Sequence, residues 1–87
     1  MNPFTDARSE QVPETLDLSG LRCPMPLLKT RQKLRAMAAG QRLRVLATDP
    51  GARRDLPAWL GQTAHQLVHQ REQDGMLEFV IIVAGEV

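Results

Sequence analysis

The sequence predicts an α/β protein, a two-layer sandwich in which two helices cover one face of a four-stranded mixed sheet. The spacing of the apolar residues changes along the chain between the period of a strand and that of a helix, in the order β-α-β-α-β-β. A helix separates the first two strands, which is typical of parallel neighbours, whereas Asp74-Gly75 separates the last two as in a tight hairpin. The 87 residues leave room for one domain. We place it at 14–87, after a flexible tail at 1–13.

The first strand and the first helix are predicted between residues 15 and 40. Residues 15–19 alternate in polarity, and Gly20 ends the strand. A helix of about four turns follows, with Pro24 at its first position, where no amide donor is needed. We expect it to end at Gly40. Its apolar stripe consists of Leu27, Thr30, Leu34, Met37 and Ala38.

The second half of the chain is predicted to form a strand, a short helix and the hairpin. Residues 42–48 alternate, and the Asp-Pro-Gly that follows them favours a turn. Because Pro57 fits a helix only in its first turn, we expect the second helix to begin near Asp55 and to end at Gly61. The hairpin strands occupy 65–73 and 76–84. The latter is apolar on both faces and is therefore expected inside the sheet.

The basic residues are concentrated in one segment, although the net charge is only +1. Residues 22–54 contain nine Lys and Arg against one acidic residue, while the segments before and after them are net acidic. Two interpretations remain open for this segment. It is either a solvated helix face with strand ends, or a docking surface for an acidic partner or RNA.

The sequence also disfavours several kinds of protein and site. No apolar run approaches the ~20 residues of a membrane span, so we expect no membrane insertion. There is no signal-peptide pattern, and a single cysteine cannot form an internal disulfide. We therefore expect a cytoplasmic protein, and a monomer. One cysteine and two histidines are too few for a structural zinc site, and we expect no metal and no cofactor.

The only cysteine, Cys23, lies in "GLRCPMPLLKT", where the first strand leads into the first helix. If Cys23 occupies the N-cap, the helix dipole and the neighbouring Arg22 both favour the anionic thiolate. Pro24 and Pro26 remove amide donors from the first turn. The sulfur is then expected to project into solvent with few hydrogen-bond donors around it. The alternative is that Cys23 is a small buried hydrophobic residue.

Two segments resemble the TusA (SirA-like) sulfur-carrier family. The first is "LDLSGLRCPMPLLKTRQKL", and it matches the family signature at Asp17, Gly20, Cys23, Pro24 and Pro26. The second is "ATDPGARRDLPAWL", and it is similar to the family's Asp-Pro-x-x-x-x-Asp-(aliphatic)-Pro pattern at Asp49, Pro50, Asp55, Leu56 and Pro57. The resemblance covers roughly residues 15–84 and implies the same two-layer fold.

The resemblance implies a sulfur relay rather than a free-standing enzyme. Family members accept sulfane sulfur from a cysteine desulfurase or a rhodanese. They hold it as a persulfide on the motif cysteine, here Cys23, and pass it to an acceptor sulfurtransferase. The routes lead to 2-thiouridine in tRNA, to molybdenum-cofactor enzymes or to sulfur oxidation, and the sequence does not choose among them. Residues expected to support the motif are Asp17, Gly20, Arg22, Pro24 and Pro26.

Two positions depart from the family pattern. Met25 stands where the tRNA-thiolation members commonly carry an acidic residue, which favours a different partner. Leu60 stands where some members carry a second cysteine, so the chain has no resolving thiol of its own.

Several other residues are candidates for binding. Arg53 and Arg54, just before the second helix, are either partner-docking or simply solvated residues. His65 and His69 have a helical metal-binding spacing. They fall on a predicted strand, however, where such positions lie ~13 Å apart, which favours polar surface residues. Trp59 is interpreted as a packing residue.

The alternative function is a basic nucleic-acid-binding or regulatory module without sulfur transfer. The basic segment favours this alternative. The scarcity of aromatic residues for base stacking disfavours direct nucleic-acid binding.

Overall fold

The computed structural model describes residues 13–85 and confirms the predicted element order. The tail expected at 1–13 lies outside these residues except for Pro13, and its flexibility stays a prediction. The strands are β1 (Glu14–Leu18), β2 (Arg42–Ala47), β3 (Gln66–Gln73) and β4 (Met76–Ile82), and the helices are α1 (Met25–Arg35) and α2 (Ala52–Leu60).

The four strands form one mixed sheet in the order β1-β2-β4-β3. β1 and β2 are parallel, as the helical connection predicts, and the other two pairs are antiparallel. The interior position predicted for β4 is confirmed. Asp74 and Gly75 form the tight hairpin turn at φ values of 51° and 81°, the left-handed conformation that a two-residue hairpin requires.

The core lies between the sheet and the two helices. Alternate residues of β2 and β4 point into it, and Val45 lies opposite Phe79 with both side chains fully buried. The buried apolar residues are Leu18, Leu34, Leu43, Val45, Ala47, Ala52, Leu56, Leu60, Leu77, Phe79, Ile81 and Val83. The packing of the two helices on the central strands fixes the positions of the ends of β1 and β2. The candidate site lies at these ends.

Helix α1 is shorter than predicted, because it ends at Arg35 after about three turns. The amides of Ala36 and Met37 bond to the carbonyls three residues before them, and the amide of Ala38 donates instead to Gln41 Oε1 at 2.8 Å. These bonds close the helix. Ala38, which was expected on the buried stripe, is therefore exposed.

Helix α2 begins one turn earlier than predicted, at Ala52. The amides of Ala52 and Arg53 donate to the carbonyls of Asp49 and Pro50, so the Asp-Pro-Gly turn leads directly into the helix. Pro57 consequently lies inside α2 rather than at its start. The predicted end at Gly61 is confirmed.

The sheet face away from the helices carries an ion cluster centred on Glu78. Its carboxylate accepts hydrogen bonds from Arg44 Nε at 2.5 Å and from His69 Nε2 at 3.1 Å, and Arg71 Nε lies 3.8 Å away. The hydrogen bond from Arg44 is the main reason why the pKa of Glu78 lies below its usual value.

Candidate functional site

The loop between β1 and α1 is held by hydrogen bonds at two of the five residues that were expected to support the motif, Asp17 and Gly20. Asp17 Oδ1 accepts the amide of Ser19 at 3.0 Å and also the Ser19 hydroxyl. The hydroxyl and amide bonds lower the pKa of Asp17. Gly20 has a φ of +86°, and its amide donates to Thr48 Oγ1 at 2.8 Å. The loop is thereby tied to the end of β2.

Cys23 is exposed, and it precedes α1 by two residues. The expectation that it occupies the N-cap is wrong, because the helix begins at Met25 and Pro24 is the N-cap. The amide of Met25 donates to the Arg22 carbonyl at 2.8 Å, so residues 22–25 form a turn before the helix starts. The Cys23–Pro24 peptide bond is cis. The alternative of a buried cysteine is also wrong.

Few amide donors surround the thiol. Pro24 and Pro26 have none, and the Met25 amide is used by Arg22. In the first turn of α1, only the Leu27 amide has no hydrogen-bond acceptor among residues 13–85. The sulfur therefore lies close to a helix N-terminus, as expected, without a shell of backbone donors.

Two carboxylates lie beside the cysteine. Asp55 Oδ2 is 4.0 Å from Cys23 Sγ, and Asp49 lines the same shallow depression between the starts of α1 and α2. The floor of the depression is apolar and consists of Pro24, Pro26, Leu27, Ala52 and Leu56. The sequence presented Asp49 and Asp55 only as members of the second motif. Their position beside the thiol is set by the packing of α1 and α2.

Exposed apolar and basic residues occur on the segments that carry Cys23 and Asp55. Met25 and Leu28 on α1 are 37% and 39% exposed. Arg22 in the motif loop, Lys29 on α1 and Arg54 near the start of α2 are also exposed. Arg53 instead makes a two-pronged ion pair with Glu72 on β3, at 2.8 and 2.7 Å. Arg54 has no salt-bridge partner within residues 13–85, so it is the freer of the two predicted docking residues.

Both histidines have hydrogen-bond partners. His69 contacts Glu78, and His65 Nδ1 accepts the Ala84 amide at 2.9 Å. No group of three or more potential metal ligands occurs in the described part of the chain. Trp59 is partly buried against the core, and the Arg31 guanidinium lies 5.8 Å from its ring centroid. Neither helix of residues 13–85 is long and apolar enough to cross a membrane.

Comparison with known proteins identifies the family. The family model for "Sulfurtransferase TusA" matches residues 14–83, which include both motifs and every element of the fold. The chain belongs to the TusA family. The resemblance read from the sequence is thus confirmed.

Several TusA relatives are similar over most of the domain. A sulfur carrier protein TusA from Allochromatium vinosum is 44% identical over 68 residues, which cover 78% of this chain and 90% of that protein. A putative sulfur carrier protein from Neisseria meningitidis serogroup A is 47% identical over 68 residues, covering 78% and 92%. The crystal structure of a SirA-like protein from Desulfitobacterium hafniense superposes with a TM-score of 0.70 at 27% identity, covering 83% of this chain and 97% of that one.

Proposed function

We propose that the protein carries sulfane sulfur as a persulfide on Cys23. It accepts the sulfur from a cysteine desulfurase or a rhodanese and passes it to an acceptor sulfurtransferase in the cytoplasm. The observation that carries the proposal is the exposure of the only cysteine at a motif loop that hydrogen bonds hold in place. An acceptor thiol can approach such a sulfur without any opening of the fold.

The composition of the chain supports relay over storage. Because Cys23 is the only thiol in 87 residues, a persulfide formed there cannot be attacked by a second cysteine of the same chain. The scarcity of amide donors around the sulfur leaves a persulfide weakly held. Release to an external thiol is therefore the favoured outcome of a productive encounter.

The surface around the sulfur supports docking of a protein partner. Met25 and Leu28 supply exposed apolar area on α1, which begins two residues after Cys23, and Arg22, Lys29 and Arg54 supply positive charge. This combination suits a partner with an apolar contact ringed by acidic residues. Arg53 is already paired with Glu72, so we assign the larger docking contribution to Arg54.

The proposal is tested by persulfide loading. Incubation with a cysteine desulfurase and cysteine is expected to add about 32 Da, one sulfur atom, to the intact protein, as persulfidation does. Cys23→Ser, which replaces the thiol with a hydroxyl of similar size, is expected to gain no mass. Wild-type protein without the adduct, or an equal adduct on the Ser variant, contradicts the proposal.

The acceptor is identified by trapping. Protein with a loaded or activated Cys23 is mixed with a lysate, and the sulfurtransferase that forms a mixed disulfide with it is identified. The identity of that sulfurtransferase distinguishes the routes to tRNA thiolation, molybdenum-cofactor enzymes and sulfur oxidation. The matched control is the Cys23→Ser protein, which is expected to capture nothing under the same conditions.

A further inference from the structure

We propose that Asp55 accepts the proton of the Cys23 thiol as sulfur arrives. The inference rests on the proposed function, because it concerns the same sulfur atom. Cys23 Sγ and Asp55 Oδ2 are 4.0 Å apart, in a geometry in which the thiol donates toward the carboxylate. Among residues 13–85, Asp55 is the hydrogen-bond partner of this thiol.

The position of Asp55 is fixed by the core rather than by the motif loop. It lies in the first turn of α2, where its amide donates to the Gly51 carbonyl at 2.9 Å. The next residue, Leu56, is fully buried, and Ala52 on the preceding turn is 3% exposed. The helix therefore presents the carboxylate to a thiol 32 residues earlier in the chain without a flexible linker.

The second carboxylate at the site, Asp49, comes from the segment between β2 and α2. Both carboxylates border Gly51: a Cβ built there would lie 3.0 Å from Asp49 Oδ2 and 3.7 Å from Asp55 Oδ2. Within the described residues, neither has a Lys, Arg or His nitrogen within 4.0 Å. No ion pair thus competes with the thiol for the lone pairs of Asp55.

The nearby cations come from two elements. Arg53 and Arg54 precede Asp55 on α2, and Arg53 is paired with Glu72 on β3. Arg22 precedes the cysteine in the loop before α1 and is exposed. None of these cations makes an ion pair with the carboxylate that faces the sulfur.

Loading and discharge each exchange one S–S bond for another. The Cys23 sulfur attacks the outer sulfur of a donor persulfide, and the new S–S bond forms while the donor S–S bond breaks. The electron pair of the broken bond stays on the donor cysteine as a thiolate, and the Cys23 proton goes to the Asp55 carboxylate. On discharge, an acceptor thiolate attacks the outer sulfur, the bond between that sulfur and Cys23 breaks, and its electron pair leaves on Cys23 as a thiolate, which regains a proton from water.

The test is the pH profile of single-turnover loading in Asp55→Asn. The amide keeps the size and hydrogen-bonding capacity of the side chain but cannot take a proton. We expect loading at about pH 6.5 to slow at least about tenfold, since general-base catalysis typically contributes about 10²–10⁴-fold. At about pH 9.5, where cysteine thiols in water ionise without help, the difference is expected to fall below about twofold.

Two further variants make the test specific. Asp74→Asn removes one carboxylate at the hairpin, at a φ of 51° that Asn tolerates, and is expected to load like wild type. Asp55→Glu keeps a carboxylate and is expected to recover most of the rate lost at the lower pH. Thermal melting of each variant identifies any that does not fold. If Asp55→Asn does not fold, the loading rate of Asp55→Glu relative to wild type tests the role of the carboxylate.

The outcomes are distinguishable. Asp55→Asn that loads as fast as wild type at about pH 6.5, or that is slowed equally at both pH values, contradicts the role of Asp55. A Glu variant as slow as the Asn variant also contradicts it. Wild-type protein that takes up no sulfur contradicts the proposed function itself, and with it this inference.

Discussion

The carboxylates of this protein have two very different surroundings. On the open sheet face, Glu78 is 17% exposed and is contacted by Arg44, His69 and Arg71. Beside Cys23, Asp49 and Asp55 share a depression with a thiol and have no cation within 4.0 Å among residues 13–85. The first arrangement stabilises the sheet, whereas the second leaves a carboxylate free to accept a proton from the thiol.

Under the proposed function, stability and chemistry are assigned to separate parts of this small fold. The central strands and their ion cluster hold the sheet together. Cys23, the proposed sulfur-bearing residue, lies in the exposed loop before α1 and close to the start of α2. Changes to the sheet are therefore expected to alter the free energy of unfolding, and changes at the helix starts are expected to alter sulfur transfer instead.

The largest expected effect is the loss of stability in Phe79→Ala. Phe79 is fully buried in β4 opposite Val45, and truncation of a buried Phe costs about 3–5 kcal/mol through lost contacts and the remaining cavity. Urea unfolding measures this change. Cys23→Ser, at an exposed position, is expected to stay within about 0.5 kcal/mol of wild type. Equal destabilisation by the two variants would show that the two regions are not separate.

A smaller effect is expected from the ion cluster, and it depends on pH. The pKa of Glu78 is lowered in the folded state, so its contribution is fully present above the ordinary value of 4.5 and is lost as the pH falls through the folded pKa. Glu78→Gln is expected to cost about 1 kcal/mol at neutral pH, as for a charge-assisted hydrogen bond that is partly exposed.

Melting curves of wild type and Glu78→Gln between neutral pH and about pH 3 measure this contribution, and the difference is expected to shrink below pH 4.5. The control is Glu78→Gln in an Arg44→Gln background. Most of the coupling free energy between these two side chains should be absent there. A difference that is constant across the pH range would contradict the contribution assigned to the Glu78 charge.

Effects that are no larger, but that differ in sign, are expected at two threonines with opposite hydrogen bonding. Thr30 on α1 is fully buried, and its Oγ1 has no hydrogen-bond partner among the described residues. Thr30→Val is expected to stabilise the fold by about 1 kcal/mol, since a buried unsatisfied hydroxyl is replaced by a methyl group.

Thr48→Val is the matched substitution at the site, because Thr48 Oγ1 accepts the Gly20 amide. It is expected to destabilise by about 0.5–1 kcal/mol and to slow persulfide loading as the motif loop loosens. Urea unfolding and the loading assay measure both threonine variants. The contrast would be lost if both variants changed stability in the same direction.

Most of the fold could be predicted from local patterns. The alternation in β2, the Asp74-Gly75 turn and the two-sided apolar strand β4 led to the element order and the interior position of β4. The helix ends were predicted less well. They depend on which carbonyl or side chain accepts each amide, as at Ala38 and Ala52, and sequence periodicity does not contain that information.

The site was predicted in part, for a similar reason. The motif directed attention to Cys23 and to the loop residues Asp17 and Gly20, which lie close to it in the sequence. The contact with Asp55 spans 32 residues and exists only because α1 and α2 start side by side. The pairing of Arg53 with Glu72 is likewise a tertiary contact that charge counting did not reveal.

The most direct measurement follows radiolabelled sulfur through Cys23. Protein loaded with labelled persulfide is mixed with an acceptor sulfurtransferase, and the label on each protein is measured over time. Transfer of the label to the acceptor thiol in wild type, with no loading in Cys23→Ser, is the predicted result. Label that stays on the protein, or that leaves only as free sulfide, would contradict a role in sulfur relay.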